Sequence, residues 1–137
     1  MIDVTLQDLA SSILMMFEGC YLTSYMDSGG VWTVGIGHTK GVTAGMHITT
    51  DQVAQFFAAD QAPLFKVVSG IPILEAAALI SFGFNCGLGA LESVIAGHDS
   101  ISNPRYTHDM HGNTLSGLVN RRRLEELLCA LSQQLSH

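Results

Sequence analysis

The chain has 137 residues, 13% of them charged and 47% hydrophobic, with 12 acidic against 6 basic side chains and a formal charge of −6. That length suits one domain with a single core, and the negative balance offers no phosphate-binding surface, which excludes nucleic acid as an expected partner. The low charged share invites a membrane reading, but the longest apolar runs, Ile13 to Phe17 and Ala76 to Ile80, fall far short of the roughly 18–20 residues of a bilayer span.

The start, Met1-Ile2-Asp3-Val4, is acidic and lacks the basic and apolar regions of a secretory signal. A soluble chain made in the cytoplasm, without membrane insertion, is therefore expected. Residues 5 to 18 carry Leu6, Leu9, Ala10, Ile13 and Phe17 at the spacing of an amphipathic helix. Thr5 or Asp3 can cap its start and Gly19 is the natural stop, which puts Glu18 in its last turn.

Tyr21 to Tyr25 and Val31 to Val34 are β-branched and aromatic, and Ser28-Gly29-Gly30 lies between them. That pattern predicts a β-hairpin. Gly35, Gly37, Gly41 and Gly45 then mark a bent, loop-rich small lobe. Thr49 and Gln52 form a capping-box pattern ahead of a helix with apolar Val53, Phe56, Phe57 and Ala59, which Pro63 is expected to kink or split.

Pro72 stands where the next helix begins, and Ile73 to Cys86 is apolar nearly all round, as in the buried centre of a helical lobe. Gly87 and Gly89 end it, and a short helix is expected from Ala90 to Ala96. Residues 97 to 117 read as loop with one turn of helix at most. Leu118 to Leu135 reads as a closing amphipathic helix, with Leu118, Leu124, Leu127, Leu128 and Leu131 inward. Helix, small sheet, then helices is an α+β order. Cys20, Cys86 and Cys129 are far apart and in no CxxC pattern, so buried, reduced thiols are expected.

Glu18 breaks a local rule. A carboxylate at a helix C-terminus meets the negative end of the helix dipole, and its neighbours Met16 and Phe17 are apolar. Both effects disfavour the anion, so a raised pKa is expected, as a general acid requires. Asp27 falls at the hairpin turn, opposite Val31, with Thr33 on the same face by the period of two. Carboxylate and hydroxyl would then share one surface able to hold a water. The alternative for Asp27 is an Asx turn, since Asp before Ser-Gly-Gly is good turn chemistry.

Glu18, Asp27 and Thr33, separated by eight and then five residues, resemble the catalytic triad of the phage-type lysozymes, glycoside hydrolase family 24. The resemblance runs through Phe17-Glu18-Gly19, Tyr25-Met26-Asp27 and Trp32 to Thr39. It continues through Ala78 to Gly87 and Gly117 to Arg122. It implies a lysozyme-like fold, with residues 20–48 as a β-rich lobe, residues 1–19 and 49–137 as a helical lobe, and the active-site cleft between them.

It also implies hydrolysis of the β-1,4 bond between N-acetylmuramic acid and N-acetylglucosamine in bacterial peptidoglycan, without a cofactor or metal. Glu18 would protonate the leaving oxygen, and Asp27 with Thr33 would position water or stabilise the transition state. Whether the sugar inverts depends on the carboxylate separation; the family is read as inverting. Arg121 matches a family arginine near the acid, where it would hold Glu18 in place and oppose its raised pKa; the other reading is a solvated helix face beside Arg122 and Arg123. Asn85 matches a position lining the sugar cleft; the other reading is a helix C-cap. His38 reads as structural, packing the small lobe against the helices, and Phe82 and Phe84 read as core.

The segment from Leu91 to Tyr106 is shorter than in the family, as if a helix were missing or recast as loop, and Tyr106 stands where the family has a tryptophan. Family behaviour implies a chain that accumulates in a host bacterial cytoplasm and reaches the wall after release by a separate partner; a monomer is the default expectation. The main rival reading is a catalytically silent, lysozyme-like peptidoglycan-binding or regulatory domain, against which the intact triad argues. A metal protein built on His108 and His111 with Asp109 and His98 is a weaker rival, testable with a chelator.

Overall fold

The computed structural model describes residues 4–109 and 111–136. Helix α1 spans Leu6–Glu18 and begins in a capping box: the Asp8 N–H donates to the Thr5 hydroxyl at 3.1 Å, and the Thr5 N–H donates to the Asp8 carboxylate at 3.2 Å. Asp3, the other candidate cap, lies outside the described residues. The inner face of α1 buries Ala10, Ile13 and Leu14. Gly19 closes the helix, donating its N–H to the Met15 carbonyl at 3.0 Å.

Strands β1 (Tyr21–Met26) and β2 (Trp32–Gly35) pair antiparallel, Met26 opposite Trp32 and Tyr25 opposite Thr33. Residues 46–48 run along the free edge of β1. Ser24 donates its N–H to the Met46 carbonyl at 2.8 Å, and Ile48 donates to Leu22 at 2.9 Å. The bent glycine-rich segment thereby returns to cover that edge.

Helix α2 (Thr50–Val67) starts in the capping box of Thr49 and Gln52 and continues through Pro63 without being split. Pro63 removes a hydrogen bond from the Ala59 carbonyl, but both residues are exposed, so water can satisfy that carbonyl. Val53, Phe57 and Leu64 hold the opposite face in the core. Ala59 is thus not part of the inward stripe expected of it.

Helix α3 (Ile73–Cys86) is buried without a break from Ala76 to Gly83. Helix α4 (Leu88–Ile95) crosses it at Gly83, where a Cβ would stand 2.7 Å from Leu91 Cδ2. A 3-10 turn at Pro104–Thr107 interrupts the connection to α5 (Ser116–Leu135). The inner face of α5 departs from the expected leucine stripe. Leu127 and Leu131 are 55% and 40% exposed, whereas Arg121, Arg122, Glu125 and Ser132 are buried. The helix turns this polar face inward because the charged groups find partners there, described below.

One apolar core joins the two lobes, from Val34, Ile36 and Ile48 on the hairpin side to Phe57, Ile80, Phe82 and Leu91 on the helical side. His38 does pack the small lobe against the helices: its ring stacks on Phe56 at 4.3 Å and its Nδ1 lies 2.7 Å from the Asp60 carboxylate. The architecture is α+β, a small hairpin lobe packed on a larger helical lobe. All three thiols are free, but none is fully buried: Cys86 and Cys129 are half-buried, and Cys20 is exposed because it lies on the short link after the Gly19 cap. No helix among the described residues is long and apolar enough to cross a membrane.

Candidate active site

The end of α1 carries Glu18 into the space between the lobes. Its side chain is 19% exposed, and Oε1 accepts a hydrogen bond from Arg121 Nη1 at 2.6 Å. Arg121 is 4% exposed, so the solvated-face reading fails for this arginine and for Arg122, while Arg123 is exposed. The Arg121 guanidinium also lies over the Phe17 ring at 5.0 Å. Burial, a short charge-assisted bond and the stacked ring leave the Glu18 carboxyl little rotational freedom.

Gly37 sits against the other carboxyl oxygen. A Cβ there would stand 2.6 Å from Glu18 Oε2 and 2.8 Å from Phe84 Cε1, and the backbone has φ +64°. Both conditions restrict the position to glycine.

Asp27 follows β1 at the hairpin turn. Its Oδ1 accepts from the N–H groups of Gly29 at 2.9 Å and Val31 at 2.8 Å, and its own N–H donates to the Val31 carbonyl at 2.9 Å. The Asx-turn geometry is therefore present, and it uses one carboxylate oxygen only. Thr33 is 4% exposed and donates its hydroxyl to the Val31 carbonyl at 3.0 Å, which leaves its oxygen lone pairs free to accept.

Glu18, Asp27, Thr33 and Asn85 line one cavity of about 300 Å3, together with Tyr25, Gly37, Thr39 and Phe84. Glu18 and Asn85 also line a second cavity of about 420 Å3 that leads past Arg121 and Gly117. Gly37, Thr39 and Phe84 open onto a third, of about 250 Å3, bounded by Lys40, Asp60 and Leu88. The three share walls in sequence and form a groove with Glu18 in its middle part. Asn85 is exposed in the last turn of α3 and is not the cap: Gly87 takes that position, donating its N–H to the Gly83 carbonyl at 2.8 Å.

Three residues at or behind this site are not among those singled out in the sequence. Tyr25 lies opposite Thr33 and lines the same cavity. Burial, followed by the charge of Glu18, raises its phenol above the ordinary tyrosine value, so it stays a hydrogen-bond donor. Strand alternation from Asp27 was the available signal. Ser81 and Glu125 lie behind Arg121 and carry no such signal, since only the α3–α5 packing brings them there. At the proposed metal loop, His108 Nδ1 lies 2.5 Å from the Pro104 carbonyl and Nε2 lies 3.2 Å from the Thr114 hydroxyl. Among the described residues no three His, Cys, Asp or Glu side chains gather as a metal site.

The arrangement is similar to known proteins. A 37-residue stretch is 54% identical to the SAR-endolysin of Escherichia phage P1, covering 27% of this chain and 20% of that relative. The match thus spans about a fifth of the relative's length. The crystal structure of the active form of the P1 phage endolysin Lyz aligns with a TM-score of 0.70 at 25% identity, over 88% of this chain and 82% of that one. The endolysin from Escherichia coli O157:H7 phage FAHEc1 aligns with a TM-score of 0.69 at 28% identity, over 93% and 94%. The family described as phage lysozyme matches residues 15–125, well over half of the sequence and inclusive of every site residue above. With the fold and the family match in agreement, this chain belongs to the phage lysozyme family.

Proposed function

We propose that this protein is a lysozyme that hydrolyses the β-1,4 bond between N-acetylmuramic acid and N-acetylglucosamine in bacterial peptidoglycan. The observation that carries the reading is the meeting of Glu18, Asp27 and Thr33 around one groove that continues on both sides of the acid. A groove open at its flanks suits a polymer cut internally.

In this mechanism Glu18 protonates the leaving glycosidic oxygen. Arg121 occupies Oε1, so the transferable proton belongs on Oε2, beside Gly37. Asp27 keeps Oδ2 for the attacking water or the oxocarbenium-like transition state, while its Oδ1 stays in the turn. Thr33 gives its proton to the Val31 carbonyl and so presents lone pairs to the same water. Asn85 and the Tyr25 hydroxyl offer hydrogen bonds to N-acetyl and hydroxyl groups along the groove. The 137 residues act as one domain and as a monomer, without cofactor or nucleic acid. The chain is made in the bacterial cytoplasm and meets the wall after release.

Digestion of purified sacculi, followed by borohydride reduction and mass spectrometry, tests this reading. New reducing ends on N-acetylmuramic acid are expected. Reducing ends on N-acetylglucosamine, or anhydro ends, would assign a different reaction. Binding to sacculi without cleavage would make the protein a silent wall-binding domain.

A further inference from the structure

Behind Glu18 the contact of α3 with α5 encloses four polar side chains: Ser81, Arg121, Arg122 and Glu125, none more than 4% exposed. Burying two guanidiniums and a carboxylate carries a large desolvation penalty, which apolar side chains of similar volume would avoid. Stability alone therefore gives no reason for this cluster. Its connections lead to the acid.

Glu125 Oε2 accepts from the Ser81 hydroxyl at 2.6 Å and from Arg122 Nη2 at 3.0 Å, and lies 3.6 Å from Arg121 Nε. Glu125 Oε1 pairs with Arg122 Nε at 2.6 Å. Because the Ser81 hydroxyl gives its only proton to Glu125, its lone pairs turn to Arg121, accepting from Nε at 3.2 Å. The Ser81 carbonyl accepts from Arg121 Nη2 at 3.0 Å. Two sides of the guanidinium are thus fixed by one residue of α3, and Nη1 is left for Glu18.

The charges follow the same order. Arg121 and Arg122 are adjacent buried cations. Glu125 is the counter-charge of Arg122 and shares Arg121 with Glu18. Cys86 adds a thiol beside Arg122 Nη1 at 2.8 Å.

We propose that Ser81 and Glu125 are positioning residues that fix the Arg121 guanidinium so that one N–H holds the Glu18 carboxyl in its working orientation. Its catalytic consequence rests on the hydrolytic reading above; its geometric content does not.

Ser81→Ala removes one small hydroxyl and Glu125→Gln removes a charge while keeping an acceptor. In folded Ser81→Ala, kcat on sacculi is expected to fall ~10- to 100-fold with KM nearly unchanged. Ser81→Thr, which retains the hydroxyl, should restore most of it. In an Arg121→Lys background, Ser81→Ala should add little further loss, because the two act as one unit.

The readout independent of activity is the Arg121 Nε–H by 15N NMR. It should be visible and slow to exchange in the wild type, and shifted and fast in Ser81→Ala and in folded Glu125→Gln. An unchanged Nε–H signal in folded Ser81→Ala would overturn the proposal, whether or not the protein cleaves sacculi. A wild type that fails to cleave would refute the hydrolytic reading alone, and the exchange measurement would still decide the positioning.

Discussion

In the proposed mechanism Asp27 serves two purposes through two oxygens. Oδ1 closes the hairpin turn on the N–H groups of Gly29 and Val31, and Oδ2 is available to the groove. Asp27→Asn separates them, since the amide oxygen can still accept both turn bonds. We expect its stability to stay within about 1 kcal/mol of wild type by thermal unfolding, while hydrolysis falls by ~10²-fold or more. Activity retained in a folded Asp27→Asn would remove this carboxylate from the chemistry. Gly37 is constrained twice, by its left-handed backbone and by Glu18 Oε2. Gly37→Ala should cost about 1–2 kcal/mol from the backbone alone. It should also lower turnover ~10²-fold by displacing the acid, as thermal melts and sacculus turnover would report.

Among the elements, the link between α4 and α5 is held by polar contacts rather than by a helix. Tyr106 stands edge-on to Phe82 at 4.8 Å, and its hydroxyl donates to Asp99 at 2.5 Å. That bond, followed by one from the Ser100 N–H, holds the Asp99 carboxyl at about 2, below its ordinary 3.8. The fold thus favours the anion. The stabilisation is fully present above the ordinary value and is lost as pH falls through about 2. Tyr106→Phe should move the Asp99 midpoint back toward 3.8, read by a carboxyl 13C titration; an unmoved midpoint would contradict the assignment.

Most element boundaries were legible in the sequence because their signals are local. The Thr5 and Thr49 caps, Gly19, and the apolar run from Ile73 to Cys86 each act within a few residues. The inner face of α5 was not legible, because apolar periodicity pointed to the leucines. Buried charge there depends on Ser81 and Glu18, which lie far away in the chain. That Pro63 does not split α2 was illegible for a similar reason: a proline is tolerated where the carbonyl it deprives faces water.

At the level of the whole molecule, the hairpin lobe and the helices share one core and leave a groove between them, with Glu18 on α1 and Asp27 and Thr33 on the hairpin. Neither lobe alone carries the site. A net charge of −6 gives no long-range attraction to an anionic wall, so the proposed function places recognition on contacts inside the groove. The most direct test compares wild type with Glu18→Gln, both verified as folded by circular dichroism, in the clearing of outer-membrane-permeabilised Gram-negative cells. The expected result is clearing by the wild type and its abolition in Glu18→Gln. Clearing that survives the substitution would contradict the assignment of Glu18 as the acid and put the chemistry elsewhere in the molecule.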